Sequence, residues 1–120
     1  MSVKRARTAY IPARGDIVWV NLDPARGREQ KGLRPALVVS AEEFNRKVGL
    51  VYIVPITSKE KGYPIEVAIL GADVRGVALT SHLRAVDWRD RPMRFIEHCP
   101  AEALSHVLGL IVSILADDQQ

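Results

Sequence analysis

The sequence predicts a mainly β domain of the α+β class, a small and strongly curved sheet or barrel closed by one C-terminal helix. Two observations carry that reading. Between Gly15 and Glu97, five to seven short runs of β-branched and aromatic residues are separated by turn signals. From Pro100 onward the apolar spacing changes from alternating or continuous to helical. At 120 residues, 48% hydrophobic and 26% charged, the chain suits one globular domain over 1–120, with 1–13 as a flexible arm.

The elements follow in order. Gly15-Asp16 opens Ile17-Val18-Trp19-Val20-Asn21-Leu22, which Asp23-Pro24 ends as a turn pair. Residues 25–33 lack periodicity, hold two glycines and read as a mobile loop into the next strand, Pro35 to Val39. Ser40 is placed to cap a helix of about two turns before Gly49, with Glu43 completing a capping box. Leu50 to Ile56 is an uninterrupted apolar strand, and Pro55 within it implies interrupted pairing near its end or a sheet edge. Thr57 stands at its exit.

Ser58 to Gly62 is a polar turn, after which Ile65, Val67 and Ile69 alternate with Glu66 and Ala68 as on a half-buried strand, Pro64 to Leu70. Gly71 to Gly76 is another turn, and Val77–Leu79, Leu83–Trp88 and Met93–Glu97 supply further short strands. Beyond Pro100, set as the first helical residue, Leu104, Val107, Leu108, Ile111 and Leu115 share one face. Leu110, Val112 and Ile114 widen that face, so the helix either sinks into its own core or also packs on a second copy of the chain.

Composition excludes several classes. The single cysteine, Cys99, closes no intramolecular disulfide and fits a reducing, cytoplasmic setting, where its simplest role is that of a small buried residue. Nothing resembles a signal peptide, and the apolar stretch 104–115 is shorter than the ~18 residues a membrane span needs, so no membrane role is expected. His82, His98 and His106 are not spaced as metal ligands, so no metal and no cofactor is expected. A P-loop and a nucleophile elbow are both missing.

Charge is uneven along the chain. Residues 1–35 hold eight basic and three acidic side chains, while residues 36–120 hold nine and eleven. Arg26-Gly27-Arg28-Glu29-Gln30-Lys31-Gly32-Leu33-Arg34 alone places four cations and one carboxylate in nine positions. Such a segment is either a solvated loop or a polyanion site. Arg34, fixed at the start of a strand beside a mobile loop, has the layout of a phosphate-binding guanidinium.

Gly15-Asp16-Ile17-Val18-Trp19-Val20 with Asp23-Pro24, the string Gly27-x-Glu29-Gln30-x-Gly32-x-Arg34-Pro35-Ala36-Leu37-Val38-Val39-Ser40, Val54-Pro55-Ile56-Thr57 and Gly62-Tyr63-Pro64 together resemble the MazF/PemK toxins of bacterial toxin–antitoxin pairs. The resemblance implies an SH3-like small barrel of the plasmid-addiction toxin type, with short helices and a C-terminal helix. It also implies a homodimer, a MazE-like antitoxin as partner, and metal-independent cleavage of single-stranded mRNA at short preferred sequences. By the family's motif Arg34 and Thr57 match positions implicated in catalysis, and Glu29 an accompanying acidic loop residue.

The chemistry of these side chains agrees. Metal-free RNA cleavage by the 2′-OH needs a proton acceptor, charge stabilisation at phosphorus and protonation of the departing 5′-oxygen. Arg34, a forked and permanently charged guanidinium, suits charge stabilisation, Thr57 orients by hydrogen bonding, and Glu29 is the available base or a partner that holds Arg34. Some relatives carry a strand carboxylate where this chain has Ser81-His82, which makes His82 either a general acid or base or a structural residue of that strand. For RNA binding the candidates are Arg26, Arg28, Gln30, Lys31, Lys59, Lys61, His82 and Arg89, with Trp19 and Trp88 as candidate stacking platforms, although core packing is the simpler role for Trp19. The alternatives are a non-catalytic gyrase poison of the same fold, like CcdB, whose Trp-Gly-Ile tail is missing here, and an inactive RNA-binding barrel.

Overall fold

The computed structural model describes residues 10–23 and 32–116. Among these residues seven strands and two helices run in the order β1 (Asp16–Asn21), β2 (Leu33–Val38), α1 (Glu42–Val48), β3 (Leu50–Thr57), β4 (Glu66–Leu70), β5 (Arg75–Leu79), a 3-10 turn (Thr80–His82), β6 (Arg84–Asp87), β7 (Arg94–His98) and α2 (Ala101–Leu115). The strands form one curled antiparallel half-barrel in the order β4-β5-β3-β2-β1-β7, with β6 also paired to β3. This is the mainly β architecture with a C-terminal helix that the sequence predicts.

The continuous apolar runs have a structural reason: β1, β2 and β3 are buried on both faces. Ile17, Leu37, Val54 and Ile56 point into one cluster, against which Leu104, Leu108 and Ile111 of α2 pack. Val18, Val20, Ala36, Val38, Val51 and Ile53 fill a second cluster on the opposite face, covered by Trp88, Tyr10, Ile11 and Met93. A strand with both faces in a core reads as unbroken hydrophobic sequence, whereas β4 alternates, with Val67 and Ile69 buried and Ala68 and Leu70 exposed.

Pro55 lies on a central strand, paired with Ala36. Pairing of β3 with β6 ends at Ile53, and pairing with β5 begins at Ile56. The missing N–H therefore falls where one partner gives way to the other, the interrupted-pairing alternative rather than the sheet edge.

Other expectations need correction. Ser40 caps nothing: the residue before α1 is Ala41, with no side-chain cap bond. The Ser40 hydroxyl is instead taken by Asn45 Oδ1 at 2.5 Å and by the Tyr52 N–H at 2.9 Å, and Glu43 pairs with Lys47. Pro100 is the residue before α2 rather than its first residue. β5 begins two residues earlier than expected, at Arg75, so Gly76 belongs to a strand. His82 closes a 3-10 turn, not a strand.

The arm expected over 1–13 is anchored from residue 10: the Tyr10 hydroxyl donates to Asp16, whose carboxylate also accepts the Ala13 N–H, and Asn45 Nδ2 reaches the Pro12 carbonyl at 2.7 Å. Burial, helped by the Asp16 carboxylate, pushes the Tyr10 phenol well above its ordinary pKa. Residues 1–9 lie outside the described part of the chain.

Candidate functional site

Arg34 and Thr57 reach one cleft from neighbouring strands. The β2–β3 register pairs Ala36 with Pro55. Arg34 and Thr57 lie two residues beyond that last pair, each on its own strand. The cleft has a volume of about 220 Å³, and Arg34, Pro35, Ile56, Thr57 and Ser58 are among the residues that line it. Thr57 is buried, and its Oγ accepts the Lys59 N–H at 3.1 Å, which fixes the hydroxyl at the mouth of the following turn. That turn is tied from its other end, because the Glu66 carboxylate accepts the N–H groups of Lys61 and Gly62.

The rest of the lining comes from residues that the sequence does not assign to the site. Trp19, expected in the core, is only half-buried and lines the cleft, in register with Pro35 on β2 and Arg94 on β7. Asp73, Val74 and Arg75 complete the wall. Their turn is held by Glu97, whose carboxylate accepts N–H groups from Ala72 at 3.0 Å, Asp73 at 2.9 Å and Val74 at 2.7 Å. These bonds, that from Val74 foremost, hold the Glu97 carboxyl below the usual carboxylate range.

Two glycines permit this packing. At Gly71 a Cβ would fall 2.5 Å from Glu97 Oε2. At Gly76 it would lie 3.0 Å from the Thr57 carbonyl carbon and closer still to its oxygen, so β5 can approach β3 at Thr57 only without a side chain. The sequence carries a signal for both, in Gly71-Ala72-Asp73 and Arg75-Gly76, but taken locally it is no more than turn punctuation.

The remaining candidates divide. Lys59 and Lys61 are exposed on the turn that leaves Thr57 and do not line the cleft. His82, half-buried, is not among its walls either. Arg89 lies at the far end of β3: Asp87 pairs with Leu50, seven residues from Thr57 and so about 23 Å away along the strand. There its guanidinium sits 4.9 Å from the Trp88 ring and donates to the Arg46 carbonyl.

Trp88, the other candidate platform, is 8% exposed, and its Nε1 donates to the Asn45 carbonyl. Of the two platform candidates, Trp19 is therefore the one that lines the cleft, and Trp88 is the core residue. Glu29, Arg26, Arg28, Gln30 and Lys31 lie outside the described residues. Cys99 is buried, and burial pushes its thiol pKa up, as suits a packing residue. No helix among the described residues is long and apolar enough to cross a membrane.

Comparison with known proteins gives the architecture its relatives. A family model described as the PemK-like, MazF-like toxin of type II toxin–antitoxin systems matches residues 13–115. The endoribonuclease toxin MazF of Escherichia coli K12 is 45% identical over 82 residues, 68% of this chain and 74% of the relative. The endoribonuclease PemK of Escherichia coli is 35% identical over 107 residues, covering 85% of this chain and 80% of that protein. Among solved structures, MazF of Deinococcus radiodurans superposes with a TM-score of 0.84 at 43% identity, covering 88% of this chain and 97% of that one. The MazE–MazF complex from the same organism includes a chain matching at a TM-score of 0.78 and 38% identity, over 91% of this chain and 99% of that one. With a family match over most of its length, the chain belongs to the PemK-like, MazF-like toxins of type II toxin–antitoxin systems.

Proposed function

We propose that this protein is an endoribonuclease toxin that cleaves single-stranded mRNA at preferred sequences without a metal ion, and that a MazE-like antitoxin neutralises it. The observation that carries the reading is the convergence of Arg34 and Thr57, from adjacent strands, on one open cleft. The names of its relatives, endoribonucleases MazF, PemK and ChpB, support the same activity. Relatives solved as MazE–MazF complexes support the antitoxin as partner.

The chemistry divides among few groups. The ribose 2′-oxygen attacks the adjacent phosphorus as its proton passes to a base, the bond from phosphorus to the 5′-oxygen breaks, and that oxygen takes up a proton. The products are a 2′,3′-cyclic phosphate and a 5′-hydroxyl. Arg34 offers a planar fork of N–H donors to the phosphoryl oxygens as charge accumulates there. The Thr57 hydroxyl, held by the Lys59 N–H as acceptor, keeps its own proton to donate to a phosphoryl oxygen. Glu29 is the proposed proton acceptor on sequence grounds, at a position outside the described residues. A homodimer, with α2 at the interface, and a cytoplasmic site of action complete the proposal.

The test is incubation of purified protein with a long unstructured RNA in EDTA, beside Arg34→Ala, with the fragment ends mapped. Discrete cuts ending in 2′,3′-cyclic phosphates, lost in the variant, are the expected result. RNA bound but left intact at enzyme excess would turn the protein into a binding module instead.

A further inference from the structure

Several acidic side chains at the described turns cap backbone N–H groups. Glu66 takes those of Lys61 and Gly62, Asp87 those of Arg89 and Asp90, Asp23 that of Gly32, and Asp16 that of Ala13. An aspartate within a turn ordinarily does this for its own loop. Asp73 does not, because the three N–H groups of its turn are taken by Glu97, which reaches in from β7. The turn is further closed by Gly71 N–H donating to the Val74 carbonyl at 3.0 Å. Among the described residues the Asp73 carboxylate accepts no hydrogen bond; the residue is exposed and lines the same cleft as Arg34 and Thr57.

We propose that the Glu97-held turn 71–75 is the specificity-determining wall of the cleft, on which Asp73 accepts a hydrogen bond from the exocyclic amine of an RNA base and Glu97 acts as its positioning residue. This rests on reading the cleft as an RNA site. An ionised carboxylate is an acceptor only and repels phosphodiester oxygens, so its favourable partner on RNA is a base amine. Cytosine, adenine and guanine carry one, and uracil does not. Sequence-specific proteins read single-stranded RNA by splaying bases out and bonding their edges. Trp19, half-buried in the same cleft, gives such a base a surface to lie on, while Arg34 holds the phosphate. Rigidity is what Glu97 adds: a reader on a loose turn would bond water as readily as base, and three bonds to successive N–H groups remove that freedom.

Binding rather than turnover tests the idea. Fluorescence anisotropy would compare 2′-O-methyl oligo(C) with 2′-O-methyl oligo(U), pyrimidines that differ in the amine and lack the nucleophilic hydroxyl. The variants are Asp73→Asn and Glu97→Gln. The cytosine-over-uracil preference should fall about tenfold in Asp73→Asn, the scale of one well-oriented base contact. It should fall in the same direction in Glu97→Gln, with thermal melting showing that variant folded. Asp73→Asn weakening both oligonucleotides by one factor, leaving the ratio within twofold of wild type, overturns the proposal. Because neither probe can be cut, a lost preference beside absent cleavage of ordinary RNA would overturn the enzyme reading alone. Intact cleavage beside an unchanged ratio would overturn the role of Asp73 and Glu97 alone.

Discussion

Thr57 is the residue where backbone and chemistry meet. Its hydroxyl already accepts the Lys59 N–H, so orientation is set before any substrate arrives. Thr57→Val keeps the β-branched shape and removes only the hydroxyl. On the proposed mechanism it lowers kcat by about 100-fold, the scale on which a single preorganised donor acts, with KM little changed in a steady-state cleavage assay. Thr57→Ser, which keeps the hydroxyl, should recover much of the rate. Gly76 is the complementary case, since it does no chemistry yet limits how closely β5 approaches Thr57. In Gly76→Ala the new Cβ meets the Thr57 carbonyl, backbone that cannot swing aside. Overpacking of this kind costs about 1–3 kcal/mol, so a melting temperature several degrees lower is expected, with cleavage reduced beyond the loss of folded protein.

At the scale of elements, the turn between β4 and β5 is held by a carboxylate from β7, and that makes it sensitive to acid. Glu97 is depressed in the folded protein by the Val74, Asp73 and Ala72 N–H groups. A depressed carboxyl contributes stability that is present above its unfolded pKa and is lost as pH falls through the folded one. Wild type should therefore melt above Glu97→Gln at pH 7, and the gap should close as pH drops below the ordinary carboxylate value of 4.5. A gap unchanged down to pH 3 in parallel melts would detach the carboxylate's charge from the turn's stability. α2 offers a test of opposite sign. Gly109 lies in the helix interior, and an added methyl there would meet nothing within 4 Å, so Gly109→Ala should raise the melting temperature, by about 0.5–1 kcal/mol of helix preference. The same elements mark how far sequence alone can reach. The strands, the C-terminal helix and the placing of Arg34 and Thr57 are legible because each rests on local pattern: apolar period, turn residues, motif spacing. Ser40 and Glu43 match a capping box, but Asn45 and Tyr52 compete for the hydroxyl through contacts that local pattern does not encode. Trp19 and Trp88 are not told apart by local pattern, since each belongs to a run that reads as a strand and only tertiary packing leaves one at the cleft and covers the other. Glu97 is illegible because its partners lie 23–25 residues away.

For the molecule as a whole, the question is which surface is left uncovered once both faces of the sheet have been used. α2 closes one face through Leu104, Val107, Leu108 and Ile111, and Trp88 with Tyr10, Ile11 and Met93 closes the other. Past Ile111 the helix runs beyond its own core: Val112 is 65% exposed, Ile114 47% and Leu115 69%. The widened apolar face read in the sequence is therefore not absorbed by the chain's own packing. Three large apolar side chains within four residues are a costly surface for a monomer and an ordinary one for an interface. Charges placed there separate the two cases. Val112→Glu with Leu115→Glu costs a monomer little, since both positions are already in solvent, whereas in a dimer it buries unpaired carboxylates and forces dissociation. Light scattering after size exclusion should give twice the 13.3 kDa chain mass for wild type and the chain mass for the double variant. A wild-type protein that stays at single mass at tens of micromolar would remove the homodimer from the proposal, leaving the cleft of Arg34 and Thr57 to act within one chain.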